Sequence, residues 1–220
     1  MNETYIINTD VLNNMPLFDY WFKNMSGYRQ EKISRMKLKK DKNLSLGVGI
    51  LMDSYLKKNG LTEKEMLYTN GKSGKPFFKN KPHIFFNASH SGNVAICSFS
   101  DDEIGSDIEK EAPINIKIAE RFFTVNENKY IASASSQKER QRCFLRLWTL
   151  KESYLKCTGT GLHGGLNSFE ILLFQNDDIT AYEKGKRVEV YFEEYPYSGF
   201  YISVCSKKPD FAKELMTVKI

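Results

Sequence analysis

The chain is 220 residues long, with 32 Lys and Arg against 27 Asp and Glu, a formal net charge of +5, and 41% hydrophobic residues. That length allows one large domain or two of about 110 residues, each able to bury a core, and so mild a basic excess argues against a dedicated nucleic-acid binder. No apolar run approaches the roughly 18 residues of a membrane span, and scattered Cys97, Cys143, Cys157 and Cys205, with no secretory signal ahead of them, read as reduced thiols of a cytoplasmic protein.

In chain order, Tyr5-Ile6-Ile7 reads as a short opening strand and residues 29–40 as a basic helix. A second helix starts near Asn43 and stops at Asn59-Gly60. Its Gly47 and Gly49 either weaken it or let another backbone approach closely. Turn chemistry at Asn70-Gly71, Gly74-Lys75-Pro76 and Ser91-Gly92 brackets a strand at 83–86. Strands at 94–99 and 104–109 follow, then helices near 114–123, 125–134 and 138–157, ended by Gly159 and Gly161. The tail alternates as strands over 168–174, 187–195 and 200–206. Each half carries helices and antiparallel-type strands, so the expected fold is α+β in two packed halves, 1–103 and 104–220.

The chemistry-bearing residues gather in the middle of the chain. On a strand, Asp107 and Glu109 point the same way while Ile108 enters the core. On a helix, Trp148, Glu152 and Lys156 form one stripe. Three carboxylates brought together repel one another, a conflict that a bound Mg²⁺ removes while phosphate oxygens complete its shell. Taken singly, each pattern also has a plain reading: a solvated strand face, a surface ion pair, a packed tryptophan. Asn87-Ala88-Ser89-His90-Ser91 leaves an apolar strand with donors for an anion. Glu127 fits a capping box opened by Thr124. The basic run Lys23, Arg29, Lys32, Arg35, Lys37, Lys39, Lys40, Lys42 is either a solvated face or an electropositive groove.

Five motifs occur in fixed order: Gly74-Lys75-Pro76; Phe86-Asn87-x-Ser89-His90-Ser91; Gly105-x-Asp107-x-Glu109; Phe122-Phe123-x3-Glu127; and Trp148-x2-Lys151-Glu152-x3-Lys156. Together they resemble the signature of the 4′-phosphopantetheinyl transferases, of the long, surfactin-synthetase-activating type, over residues 27–165. The resemblance implies a monomer of two similar halves related by a pseudo-twofold, with coenzyme A in the cleft between them and neither nucleic acid nor membrane as a partner. It implies that a serine of an apo carrier protein attacks the β-phosphorus of coenzyme A and releases adenosine 3′,5′-bisphosphate. Carried over by position, Asp107, Glu109 and Glu152 become the Mg²⁺ ligands, with Mn²⁺ as a substitute, and Lys156 contacts the pyrophosphate. His90 and Lys32 fall at the 3′-phosphate with the Ser45 hydroxyl assisting, Lys75, Pro76 and Ser89 on the adenosine side, and Arg29 among the coenzyme A contacts. Lys151 becomes a second basic contact, and Glu127 or Glu152 the base that activates the serine. Departures from the pattern are Leu44 in place of an arginine, for which Lys40 or Lys42 could substitute, Arg29 in place of a lysine, and Ser73 in place of an aromatic residue. A metal-dependent pyrophosphate hydrolase and a non-catalytic docking module are the competing readings.

Overall fold

Strand β1 (Glu3–Asn8) is buried on both faces, and its side chains divide by parity. Tyr5 and Ile7 join one core with Ala95, Cys97 and Phe99 of β5 (Val94–Ser100), while Ile6, Val94 and Ile96 enter another. Period-two alternation therefore places this sheet between two apolar layers. In this computed structural model residues 1–71, 74–161, 165–174 and 178–220 are described. Ser73, and the departure expected there, lies outside them.

The first sheet has the order β12-β1-β5-β4, with β4 at Phe85–Ser91 and β12 at Met216–Thr217. Its inner face is covered by α3 (Lys39–Lys57), whose Leu46, Val48, Ile50 and Leu51 are core residues. Gly47 and Gly49 serve close approach: a β-carbon would stand 2.6 Å from Thr9 at the first and 2.6 Å from Met25 at the second. The neighbours there are side chains, not the backbone that the sequence suggested.

The basic segment is not one helix. It breaks into α2 (Gly27–Ser34), capped by Ser26, and α3, because Leu38 is extended at φ −85°, ψ 133°. Helix α1 (Met15–Lys23) was not foreseen; Asn14 caps it by accepting from the Leu17 amide, with Pro16 in its first turn.

The second sheet has the order β10-β11-β6, with β6 at Ile104–Lys110, β10 at Tyr191–Glu194 and β11 at Phe200–Ser206. Ile104, Ile108, Ile202 and Val204 close against Ile6, Val94 and Ile96, so the two sheets share a central apolar core. The long helix α6 (Gln137–Thr158) packs on the outer side and ends at Gly159, in the left-handed region at φ 66°. Helices α4 (Ala119–Phe122) and α5 (Val125–Ser133) precede it. Small sheets of β2 (Tyr68–Asn70) with β3 (Pro76–Phe78), and of β7 (Phe169–Leu173), β8 (Ile179–Glu183) and β9 (Lys186–Val188), complete this mixed α+β fold.

The expected division into 1–103 and 104–220 is not a clean cut. Strand β12 returns to pair in parallel with β1, Tyr5 opposite Met216. Among the described residues no helix is long and apolar enough to cross a membrane.

Candidate active site

Strands β4 and β6 belong to different sheets and are joined by side chains rather than a shared ladder. Asn87 Oδ1 accepts from the Ser106 amide at 2.9 Å, and the Ser106 hydroxyl donates to Asn87 O at 3.1 Å. The Ser89 hydroxyl donates to Asp107 Oδ1 at 2.8 Å. The Ser91 hydroxyl donates to Glu109 Oε2 at 2.9 Å and accepts from the Lys110 amide at 3.0 Å. Asp107 and Glu109 thus face one seam, while Ile108 is buried in the central core.

Helix α6 brings Glu152 and Lys156 to that seam because Gly105 lets it. A β-carbon on Gly105 would lie 2.1 Å from Ser153 O and 2.2 Å from Cys157 N, distances that only a residue lacking one avoids. Lys156 Nζ then sits 2.5 Å from Asp107 Oδ1, 3.2 Å from Ser89 Oγ and 3.3 Å from Ser106 O.

Burial holds the Glu109 carboxyl above its ordinary value, against the Ser91 hydrogen bond, and the Asp107 charge adds to the rise. Burial raises Glu152 too, against the pull of Lys156, and Asp107 and Glu109 push it the same way. The three acids therefore feel one another. Hard oxygen donors, their mutual repulsion, and Asp107 Oδ2, buried without a hydrogen-bond partner, fit a divalent cation. The convergence expected from the sequence is nonetheless not assembled as the side chains stand. Among the described residues no three His, Cys, Asp or Glu side chains are close enough to hold a metal ion. Lys156 lies against Asp107 instead.

A cavity of ≈ 250 Å³ opens beside these groups, lined by Gly74, Lys75, Pro76 and Asn87 on one side and Glu152, Leu155 and Lys156 on the other. A second, of ≈ 190 Å³, shares Pro76 and Asn87 with it and is lined by Arg29, Lys32 and Tyr68. Lys75 Nζ is held by Glu103 at 2.8 Å and Ile104 O at 3.0 Å. Burial lowers the Lys32 ammonium, and Arg29 adds to it. Desolvation pushes the His90 imidazole down as well, helped by Lys156 and Lys32, although its side chain reaches solvent. His90 sits on β4, not in the loop that the sequence suggested.

Several expected ligand contacts are committed elsewhere. Arg29 is buried against Glu63 at 3.4 Å, Ser45 O at 3.4 Å and Tyr68 OH at 3.3 Å, so its guanidinium anchors α2 as well as walling the smaller cavity. The Ser45 hydroxyl is buried without a partner and lines neither cavity. Lys40 and Lys42 line other cavities, the former with Lys110 and the latter with Phe18.

Glu127 and Lys151 form a fully buried ion pair at 2.5 Å. Glu127 Oε1 also accepts from the Ile171 amide, its Oε2 accepts from the Thr124 amide, and Lys151 donates to Phe169 O at 2.8 Å. The capping-box reading is the one the geometry carries: both Glu127 oxygens are taken, and Lys151 faces the core. Burial outweighs Glu127 and pulls the Lys151 ammonium below its ordinary value.

Sequence reasoning gave Asn87 and Ser91 only a share in an anion-donor segment, not their part in joining β4 to β6, and gave Glu103 no role. The polar alternation at 87, 89 and 91 was the available signal, since it is strand periodicity continuing past Phe86.

A family model for the 4′-phosphopantetheinyl transferase superfamily matches residues 103–205. The 4′-phosphopantetheinyl transferase Sfp of Bacillus subtilis (strain 168) is 32% identical over 196 residues, covering 88% of this chain and 87% of its own. The transferase gsp of Aneurinibacillus migulanus is 33% identical over 192 residues, 86% of this chain and 79% of that one. The solved holo-[acyl-carrier-protein] synthase of Thermotoga maritima overlaps 47% of this chain and 61% of its own at 20% identity and a TM-score of 0.40, too loosely to carry an argument. The class of protein is thus a transferase enzyme. Within it, the chain belongs to the 4′-phosphopantetheinyl transferase family.

Proposed function

We propose that the protein transfers 4′-phosphopantetheine from coenzyme A to a serine of an apo carrier protein, with Mg²⁺, releasing adenosine 3′,5′-bisphosphate. The observation that carries this reading is that Glu152 and Lys156 line one cavity with Gly74, Lys75 and Pro76, while Lys156 reaches out of it to Asp107 at 2.5 Å.

In this reading Asp107, Glu109 and Glu152 would hold the cation, and Asp107 Oδ2, buried without a hydrogen-bond partner, is one oxygen available to it. When bound, it neutralises pyrophosphate charge and polarises the phosphoryl oxygens. Lys156 leaves Asp107 and turns to the pyrophosphate, where it stabilises the charge that develops on the departing phosphate. The serine oxygen bonds to the β-phosphorus as the bond from that phosphorus to the bridging oxygen breaks. The serine proton passes to Glu152, directly or through water; this carboxyl borders the cavity, whereas the Glu127 oxygens are occupied. Lys32 as a cation and His90 as a hydrogen-bond donor supply the 3′-phosphate side. Lys75 and Pro76 wall the adenosine side, with Lys75 exchanging Glu103 for ligand. The reading extends to two similar halves, each with a long helix on a mainly antiparallel sheet, that enclose coenzyme A in a cytoplasmic monomer.

The test is a mass measurement. An apo carrier protein incubated with coenzyme A, Mg²⁺ and the protein should gain one phosphopantetheine on its serine. Two unrelated carriers that stay apo while coenzyme A binds normally would overturn the proposal. Rapid release of adenosine bisphosphate with no acceptor present would point to a hydrolase instead.

A further inference from the structure

Ser91 lies in a motif whose other polar members have been given roles, and its own contacts single it out. Its hydroxyl is the hydrogen-bond donor to Glu109 Oε2, at 2.9 Å, and the acceptor of the Lys110 amide, at 3.0 Å. One oxygen therefore fixes both the Glu109 carboxylate and the backbone one residue on. It does so across a junction where β4 and β6 have no ladder of their own. The Asp107 charge repels the Glu109 carboxylate, and the Ser91 hydroxyl holds it against that push.

We infer that Ser91 is a positioning residue for the metal site: its hydroxyl, reaching across from the first sheet, aims the Glu109 carboxylate so that it can serve as an oxygen ligand beside Asp107. This rests on the metal reading above. Groups that orient a ligand from behind are worth about 10- to 100-fold in metal affinity when removed. Ser91 engages only Oε2, and Trp148 adds a hydrogen bond of its own to the same carboxylate. The same arrangement couples the halves. The acid lies on β6 of the second sheet, and the group that aims it lies on β4 of the first.

The test compares Ser91→Val with Ser91→Thr, two side chains of one shape that differ in the hydroxyl. Mn²⁺ binding to each, and to the wild type, is measured by calorimetry with coenzyme A present, and coenzyme A binding is measured separately without metal. The expected result is an Mn²⁺ affinity about 10-fold lower or more for Ser91→Val, near-wild-type affinity for Ser91→Thr, and metal-free coenzyme A affinity equal in all three. Steady-state transfer should show the Mg²⁺ requirement rising in Ser91→Val while KM for coenzyme A at saturating Mg²⁺ holds. Unchanged Mn²⁺ affinity in Ser91→Val overturns the role of Ser91 and leaves the metal reading standing. Equal losses in Ser91→Val and Ser91→Thr, matched by a fall in Tm, also overturn it, because the strand junction rather than the hydroxyl would then matter. Wild-type protein that takes up no Mn²⁺ with coenzyme A overturns the metal reading itself, and the Ser91 role with it.

Discussion

Lys151 and Glu127 carry opposite charges in a core where neither side chain is exposed, and Lys151 Nζ lies 4.2 Å from the centroid of the Phe169 ring. Removing one partner strands the other charge among apolar groups. Glu127→Ala should therefore cost about 3–5 kcal/mol in urea unfolding. Joint replacement by Leu and Met at the two positions should recover most of that loss. A transfer base at Glu127 would behave otherwise, with Glu127→Gln losing turnover at unchanged stability. Glu152 poses a pH question at the same scale. Burial raises its carboxyl above the ordinary 4.5, so the folded chain holds this proton more tightly than the unfolded chain. The group favours folding below pH 4.5 and loses that contribution as pH rises through its raised folded value. Glu152→Gln should accordingly raise the Tm of the metal-free protein at neutral pH, by an increment that vanishes below pH 4.5, while transfer is lost. A lower Tm at neutral pH would contradict the electrostatic account.

At the scale of elements, the site depends on how close α6 lies to β6. Gly105→Ala would drive a β-carbon into Ser153 O and Cys157 N, both backbone atoms of the helix, so the helix must move. The expected cost is about 3 kcal/mol, the upper end for overpacking. Transfer should fall further than stability, because the shift parts Glu152 and Lys156 from Asp107. Urea unfolding and transfer rates on one preparation check both; an active, fully stable variant would show that the approach is slack. Elements with strong local signals were legible in the sequence. Tyr5-Ile6-Ile7, residues 200–206 and the long helix before Gly159 declare themselves by periodicity and stop signals. The break at Leu38 and the existence of α1 were not. The run through Lys37, Lys39 and Lys40 carries helix-forming residues on both sides of the break, and α1 owes its start to an Asn14 cap that no neighbouring motif announced. That Asp107 and Glu109 share one face, and Glu152 and Lys156 another, was legible because strand and helix periods fix it. That Lys156 rests on Asp107, and that Lys151 turns into the core, depends on how α6 rolls against β6 and β7, which spacing along one helix does not encode.

Across the whole molecule, the chain closes on itself. The Asn2 amide donates to Asp210 O at 2.6 Å, the Ala212 amide to Asn2 O at 2.8 Å, and the Val218 amide to Ile6 O at 2.9 Å, while β12 lies parallel to β1. Tyr195, next to β10, adds its hydroxyl to Ala212 O at 2.7 Å. The last residues thus bind the first sheet from a segment that follows the second. Deleting residues 209–220 removes the outer partner of β1 and leaves that strand with one neighbour, β5, so its amides lose protection on the side facing β12. Hydrogen exchange should then quicken in Glu3–Asn8 of the truncated protein, far from the cut in sequence, while Ile104–Lys110, held between β11 and the β4 seam, keeps its protection. If the halves were separate folding units, exchange would quicken only after residue 103, and β1 would be untouched. Because β5 also carries β4, whose Ser89 and Ser91 hold the carboxylates of β6, loosening β1 should weaken metal-dependent transfer without a single site residue having changed.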